Sequence, residues 1–359
     1  MQIKNKLLRL KKVYIYFTSY VLLIIFFSTT FLYANTFKVS DIDISAPYKL
    51  SFNKNKVINV GFKAAFKDLT SMITTSGDRE KIKNTTLNEL KSMIESFTIS
   101  NERFINDEYF AKLEVTFNKK KILTFLEKKN IFPSIAKKNK ILLIPILVDT
   151  EIDAIYLFTE NPFFKKWNDS NENYYLLNYL LPSEDLEDLN IIQSNFSSIE
   201  NYDFIDLVKK YALEDYIVSI IYKNKNELNI LSKINFKDVL KIDNQKIKNI
   251  DLNNDENLAF VLNKLKTTYE NYWKKNNEIN TSIKLPLTVS INSKEYSKIK
   301  ELKETFNELD LISSYYILKF DNQKIFFRII YNGSPKTFLN DMSKKGFNFI
   351  SENNIWNVK

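Results

Sequence analysis

The residues best placed to do chemistry are four acids within five positions, Glu184, Asp185, Glu187 and Asp188. Two carboxylates flanking a glycosidic bond can act as general acid and general base. Asp185 and Asp188 are the candidates for those roles, with Asp149 and Glu151 at a strand end as a facing pair. Adjacent acids without a desolvating environment more often mark a helix N-terminus or a solvated loop, and that reading is preferred. Carboxylates also suit calcium, but their spacing lacks the EF-hand pattern, so no metal is implied. Two Ser-Lys neighbours make poor nucleophile pairs. Ser232 and Lys233 share a predicted strand, where adjacent side chains point to opposite faces. Ser343 and Lys344 lie at a helix end, where a cation complements the dipole.

The absences are as informative. The chain has no histidine, which removes the commonest general base and metal ligand. It has no cysteine, hence no disulfide and no thiolate chemistry, and only four glycines, too dispersed for a phosphate-cradling loop. No cofactor is expected. A different kind of site is suggested by Asn161-Pro162-Phe163-Phe164 with Trp167. Aromatics on a loop bury much area with few rotatable bonds, so Asn161, Phe163 and Trp167 form a candidate partner-binding patch. The competing and preferred reading packs Phe163 and Trp167 against a sheet.

Three α+β modules must position these residues. Residues 36–135 order as β-α-α-β-β-α, with period-two alternation over Phe37–Ile44. A helical stripe from Val57 to Ile73 follows, stopped at Gly77-Asp78, and a capping box joins Thr86 and Glu89. The strands Phe97–Ile105 and Tyr109–Phe117 flank a turn at Asn106-Asp107. A last helix runs from Asn118 through Leu126. Residues 139–277 form a mixed middle module. The run Ile141–Val148 is apolar on both parities, as in a strand buried on both faces, with Pro145 predicting a bulge or strand end. Strands are predicted at Ala154–Phe158, Asp215–Tyr222, Leu228–Ile234 and Ile247–Leu252, with helices near Glu172–Leu181 and Phe204–Tyr211 and over Asn257–Lys275. Residues 281–359 order as β-α-β-β-α-β, which is ferredoxin-like, with a hairpin at Asp321-Asn322-Gln323, Ser334 capping a helix and Gly346 ending it.

Ahead of the modules, Lys4, Lys6, Arg9, Lys11 and Lys12 precede a nearly unbroken apolar run, Val13–Ala34. A basic segment followed by such a run predicts a secretory signal, its basic flank cytoplasmic. The run is long enough to span a bilayer, for which about 20 residues suffice. Cleavage after Ala34 is preferred, with a permanent anchor through residues 13–34 as the alternative. Of the 52 basic residues five lie here, against none of the 43 acidic ones, so the net charge of +9 falls to +4 without residues 1–34. With only short lysine runs at 119–121 and 137–138, no nucleic-acid face is expected.

Several pieces together resemble a known family: Gly61-Phe62-Lys63-Ala64-Ala65-Phe66 leading to Ser76-Gly77-Asp78-Arg79, Tyr109–Phe117, the Leu142–Val148 strand, Asn161-Pro162-Phe163 ahead of Trp167, and Pro182 followed by Asp185-Leu186-Glu187-Asp188. The set is similar to the secreted proteobacterial domain of unknown function number 2066, over most of residues 36–350. The resemblance implies an exported envelope protein and supplies no catalytic residues. The resulting expectation is an α+β protein, periplasmic or anchored in the inner membrane facing the periplasm. It acts as a non-enzymatic interaction or assembly module on other envelope proteins or the cell wall. The alternative is a carboxylate-dependent hydrolase of cell-wall glycan or peptide.

Overall fold

A computed structural model describes residues 37–359 apart from Ser170, Asn171 and Asn173. The expected signal or anchor at 1–34 lies outside the described residues. Among those described, no helix is long and apolar enough to cross a membrane. Thr36–Lys359 form one compact unit. It is a mixed α+β protein built on three sheets, of three, six and five strands, each packed with helices.

The first sheet has the order β1-β3-β2, with β1 Lys38–Pro47, β2 Ile94–Ile105 and β3 Glu108–Phe117. Strict alternation along β3 sends Tyr109, Ala111, Leu113, Val115 and Phe117 into the core. Asn106 and Asp107 both have positive φ, the two-residue turn whose twist matches antiparallel strands. Helix α1, Lys54–Ile73, is capped by the Asn53 side chain and lays Val57, Phe62, Ala65, Phe66, Leu69 and Ile73 on the sheet. Its approach is close at Gly61, where a Cβ would sit 2.6 Å from Leu113 Cδ2 and 2.8 Å from Ile44 Cγ2. The helix does not run on to Gly77-Asp78. It stops at Ile73 because Thr74 is extended and Thr75 caps a new helix, α2 (Ser76–Ile82), whose first turn holds those two residues. Thr86 caps α3, Leu87–Met93, by accepting from Glu89 N–H, and α4, Lys119–Lys128, closes the module behind Asn118.

In the six-stranded sheet, β4 (Asn139–Asp149) is central and continuous. Ile141, Leu143 and Leu147 face one core; Leu142, Ile144, Ile146 and Val148 face another. Pro145 makes neither a bulge nor an end. One edge of β4 pairs with β7 (Tyr216–Asn224) from Leu142 to Asp149, while the other pairs with β6 (Leu177–Leu180) up to Leu142 and with β5 (Ala154–Tyr156) from Leu147. Pro145 falls in the gap between those two short strands, where a missing N–H breaks no ladder bond. Strand β6 replaces the helix expected near Glu172–Leu181: Tyr175, Leu176 and Leu177 are buried in succession, a strand-like demand that no helical stripe meets.

Strands β8, Glu227–Phe236, and β9, Val239–Lys248, continue the sheet as an antiparallel hairpin through Lys237 and Asp238, both at positive φ. The strand expected at Ile247–Leu252 therefore begins earlier and ends at Lys248. On one face lies α8, Asp255–Asn276, with Leu258, Val261, Leu262, Leu265, Tyr269 and Trp273 inward. On the other lie α6, Leu186–Ser194, and α7, Ile205–Lys209, while α5, Pro162–Lys166, supports the first core.

The third sheet, β11-β12-β10-β14-β13, comprises β10 Leu285–Asn292, β11 Ile312–Phe320, β12 Lys324–Tyr331, β13 Phe349–Glu352 and β14 Ile355–Val358. Helices α9, Tyr296–Glu308, and α10, Pro335–Lys344, cover one face; Ser334 caps α10 and Gly346 at φ +85° follows it. The β-α-β-β-α order ends in a terminal hairpin. Its second strand, β14, sits beside β10 and runs parallel to it, leaving β13 outside.

Where the chain enters and leaves the middle module, two short segments meet as a neck. Ile135 N–H donates to the Asn277 carbonyl at 3.0 Å and Ile279 N–H to that of Pro133 at 2.7 Å, framing an antiparallel bridge between Ser134 and Glu278.

Candidate functional site

Three of the four clustered acids, Asp185, Glu187 and Asp188, are tied into the structure by a cap or a lysine. Asp185 is the N-cap of α6 and accepts from Glu187 N–H. Asp188 is 1% exposed, and Lys210 on the adjoining turn reaches it at 2.5 Å while standing 3.5 Å from Asp185 and 3.6 Å from Glu187. The bond to Asp188 raises the Lys210 ammonium above its ordinary value. One oxygen of Asp188 is buried without a hydrogen-bond partner. Asp149 has its own lysine, Lys223 at 2.7 Å, which holds the carboxyl below the usual range. Glu151 accepts from Lys225 N–H. An acid–base pair for glycan cleavage needs one carboxyl kept protonated beside one ionised; here Lys223 favours the ionised form of Asp149, and Asp188 is engaged in an ion pair with Lys210.

Asn161, Phe163 and Trp167 are all fully buried, so they do not form the exposed partner-binding patch. Their role follows from the gap in β4. The Asn161 amide donates to the Pro145 carbonyl at 3.0 Å, and its own carbonyl caps α5 by accepting from Phe163 N–H at 2.9 Å. Phe163 and Trp167 then enter the core under α8, Trp167 stacking on Tyr269 with ring centroids 6.1 Å apart. The preferred reading, packing of Phe163 and Trp167 against a sheet, is the one observed, and the loop also seals a sheet edge that a proline leaves open.

A polar network absent from the sequence reading joins the first and middle modules. On α8, Glu270 and Lys274 are 2% and 3% exposed, their charged atoms 3.5 Å apart. Glu270 accepts from the N–H groups of Leu176 and Leu177, both at 2.8 Å, fixing the approach to β6. Lys274 donates to the Ser71 carbonyl on α1 at 2.6 Å, and Arg79 of α2 donates to the Ser71 hydroxyl at 2.9 Å. Burial pushes Lys274 down to about 8 and Glu270 upward, because desolvation outweighs their mutual attraction. Beside them the Tyr179 hydroxyl is enclosed without a partner, and burial drives its pKa well up. The signal was present: positions 258, 262, 266, 270 and 274 form one i+4 row on α8, and its last three members are Lys266, Glu270 and Lys274, all buried.

Runs of exposed apolar side chains occur instead on sheet edges. Strands β2, β9 and β11 are each terminal in their sheet. They expose Phe97, Phe104 and Ile105; Val239, Leu240 and Ile242; and Tyr316, Ile317, Leu318 and Phe320, the last 77% accessible. From Tyr316 to Phe320 both parities of β11 are exposed, so neither face of that half of the edge is covered. No protein-family model matches the chain, and none of the curated proteins matches it.

Proposed function

We propose that the chain is an exported envelope protein that works by contact, adding strands or apolar surfaces of partner proteins to its open sheet edges. The observation that carries this reading is β11: an edge strand of nine residues with Tyr316, Ile317, Leu318 and Phe320 all exposed. Such an edge offers unpaired N–H and C=O groups beside apolar side chains, the combination that strand addition uses. Two bulges interrupt its register with β12, at Ile312/Ser314 and Ile317/Lys319, and Lys319 lies over the Phe326 ring at 4.4 Å. Bulges and lysines are devices that keep an edge from indiscriminate pairing. The basic flank and apolar run at residues 4–34 support export. The lysine partners of Asp188 and Asp149 give the hydrolase alternative no support.

The test is site-specific photocrosslinking from positions 97, 240 and 318 in intact envelopes. A discrete adduct from position 318 that is lost in Ile317→Lys, at unchanged thermal stability, is the expected result. Uniform labelling from all three positions, insensitive to that substitution, would sink the reading.

A further inference from the structure

A groove of about 550 Å³ runs between α1 and the α2–α3 pair. Its floor is apolar: Phe66, Ile82 and Leu90, all buried. Its walls are cationic. Lys63 and Lys67 stand one helical turn apart on α1, in line with Ser71, and Arg79 and Lys83 face them with the same four-residue spacing. Glu80 is the one carboxylate among the lining residues and stands 3.5 Å from Lys83. Among the described residues, Lys63, Lys67 and Arg79 have no carboxylate within ion-pair distance. Arg79 is half-buried, and its position is fixed by its bond to the Ser71 hydroxyl.

Lys63, Lys67, Arg79 and Lys83 line one opening against a single lining carboxylate, Glu80, with Asp68 acting on Lys67 from beside it, so the opening carries net positive charge and favours an anion. A bare anion would leave the apolar floor in water; a neutral apolar ligand would leave the cations unmatched. We infer that this groove binds a single-chain amphiphile with an acidic head, carboxylate or phosphate. The head is held by Arg79 with Lys67 and Lys83, and the hydrocarbon chain lies along Phe66, Ile82 and Leu90. The volume agrees: at roughly 30 Å³ per water-sized group, the groove takes about 18 such groups, enough for a head and a chain of about twelve carbons. Pockets of this size are typical of small-ligand sites. The inference is independent of the sheet-edge reading, since no edge strand lines the groove.

The probe is 11-dansylamino-undecanoate titrated into the full chain by fluorescence. Saturable one-to-one binding is expected, displaced by laurate and by dodecyl phosphate, and weakened as ionic strength rises. The double substitution Lys63→Glu/Lys67→Glu places acids at exposed positions and should weaken binding at least tenfold with an unchanged melting temperature. The apolar segment Val13–Ala34 is common to both chains, so the difference reads the groove alone. Arg79→Gln should weaken binding likewise. The inference is overturned if binding does not saturate, or if dodecanol displaces the probe as well as laurate does. Displacement by hexaglutamate or inorganic phosphate at equal concentration, or indifference to the double substitution, also overturns it.

Discussion

Glu270→Ala should be among the most destabilising single substitutions in the protein, and the structure gives the reason and the scale. Two charges 3.5 Å apart attract by about 5 kcal/mol at an effective dielectric constant of 20, an attraction that their desolvation outweighs. Removing Glu270 withdraws that attraction and leaves the desolvation of Lys274 in place. It also strips the acceptor from the N–H groups of Leu176 and Leu177. Breaking an enclosed pair in this way costs about 3–5 kcal/mol, and at roughly 2 °C per kcal/mol for a unit of this size the melting temperature should fall by about 6–10 °C.

The control is Glu270→Gln/Lys274→Met, which keeps an oxygen for both N–H groups and removes both charges. It should lose less than half as much as Glu270→Ala, because the pair's desolvation cost disappears with it. The pH dependence provides a second reading. Lys274 titrates near 8 when folded and near 10.5 when unfolded, so between those values the unfolded chain holds more protons and stability rises with pH. Glu270 has the opposite displacement: its folded pKa lies above 4.5, so the stability it contributes is complete below 4.5 and is lost as pH rises through the folded value. Scanning calorimetry of the three proteins from about pH 4 to pH 11 covers both windows. If the double variant melts as low as Glu270→Ala, or if Glu270→Ala moves the transition by under about 2 °C, the reasoning fails.

Gly61→Ala gains helix propensity but drives a methyl into Leu113 and Ile44, so a net loss of about 1–3 kcal/mol is expected in urea unfolding. Lys119 donates to the Leu309 carbonyl, and burial lowers it to about 8. Between about 8 and 10.5 the unfolded chain again holds more protons, so Lys119→Met should flatten the rise of stability over that window in a pH series of melting curves. Asp188→Ala should lower the melting temperature by less than Glu270→Ala does, since Lys210 regains water once released. Asp185→Asn and Asp188→Asn should leave the release of soluble fragments from purified cell wall at the wild-type level; a drop confined to these variants would revive the hydrolase reading.

Local signals carried most of the fold. The caps at Thr86 and Ser334, the Asn106-Asp107 turn and the stripe of α8 all act within a few residues of themselves, and each appears where the sequence placed it. Misreadings arose where a distant partner decided the outcome. Residues 177–180 are a strand because β4 offers a short stretch of edge and Glu270 offers acceptors for the chain leading into it, neither visible within the segment itself. Pro145 is tolerated in mid-strand because Asn161 arrives from sixteen residues on. The acids at 184–188 do open a helix, as the preferred reading had it, but Lys210, the partner of Asp188, lies 22 residues on and no local pattern shows it.

The neck at Pro133–Ile135 and Asn277–Ile279 gives the chain an architecture that its linear order conceals. Because entry and exit lie side by side, the middle module is topologically an insertion: everything between the two segments could be replaced by a short loop without moving the ends on either side. The same geometry sets a mechanical order. Tension between the outer modules reaches the hydrogen bonds that flank the Ser134–Glu278 bridge before it reaches the six-stranded sheet, so the middle core is shielded from load until the neck has opened.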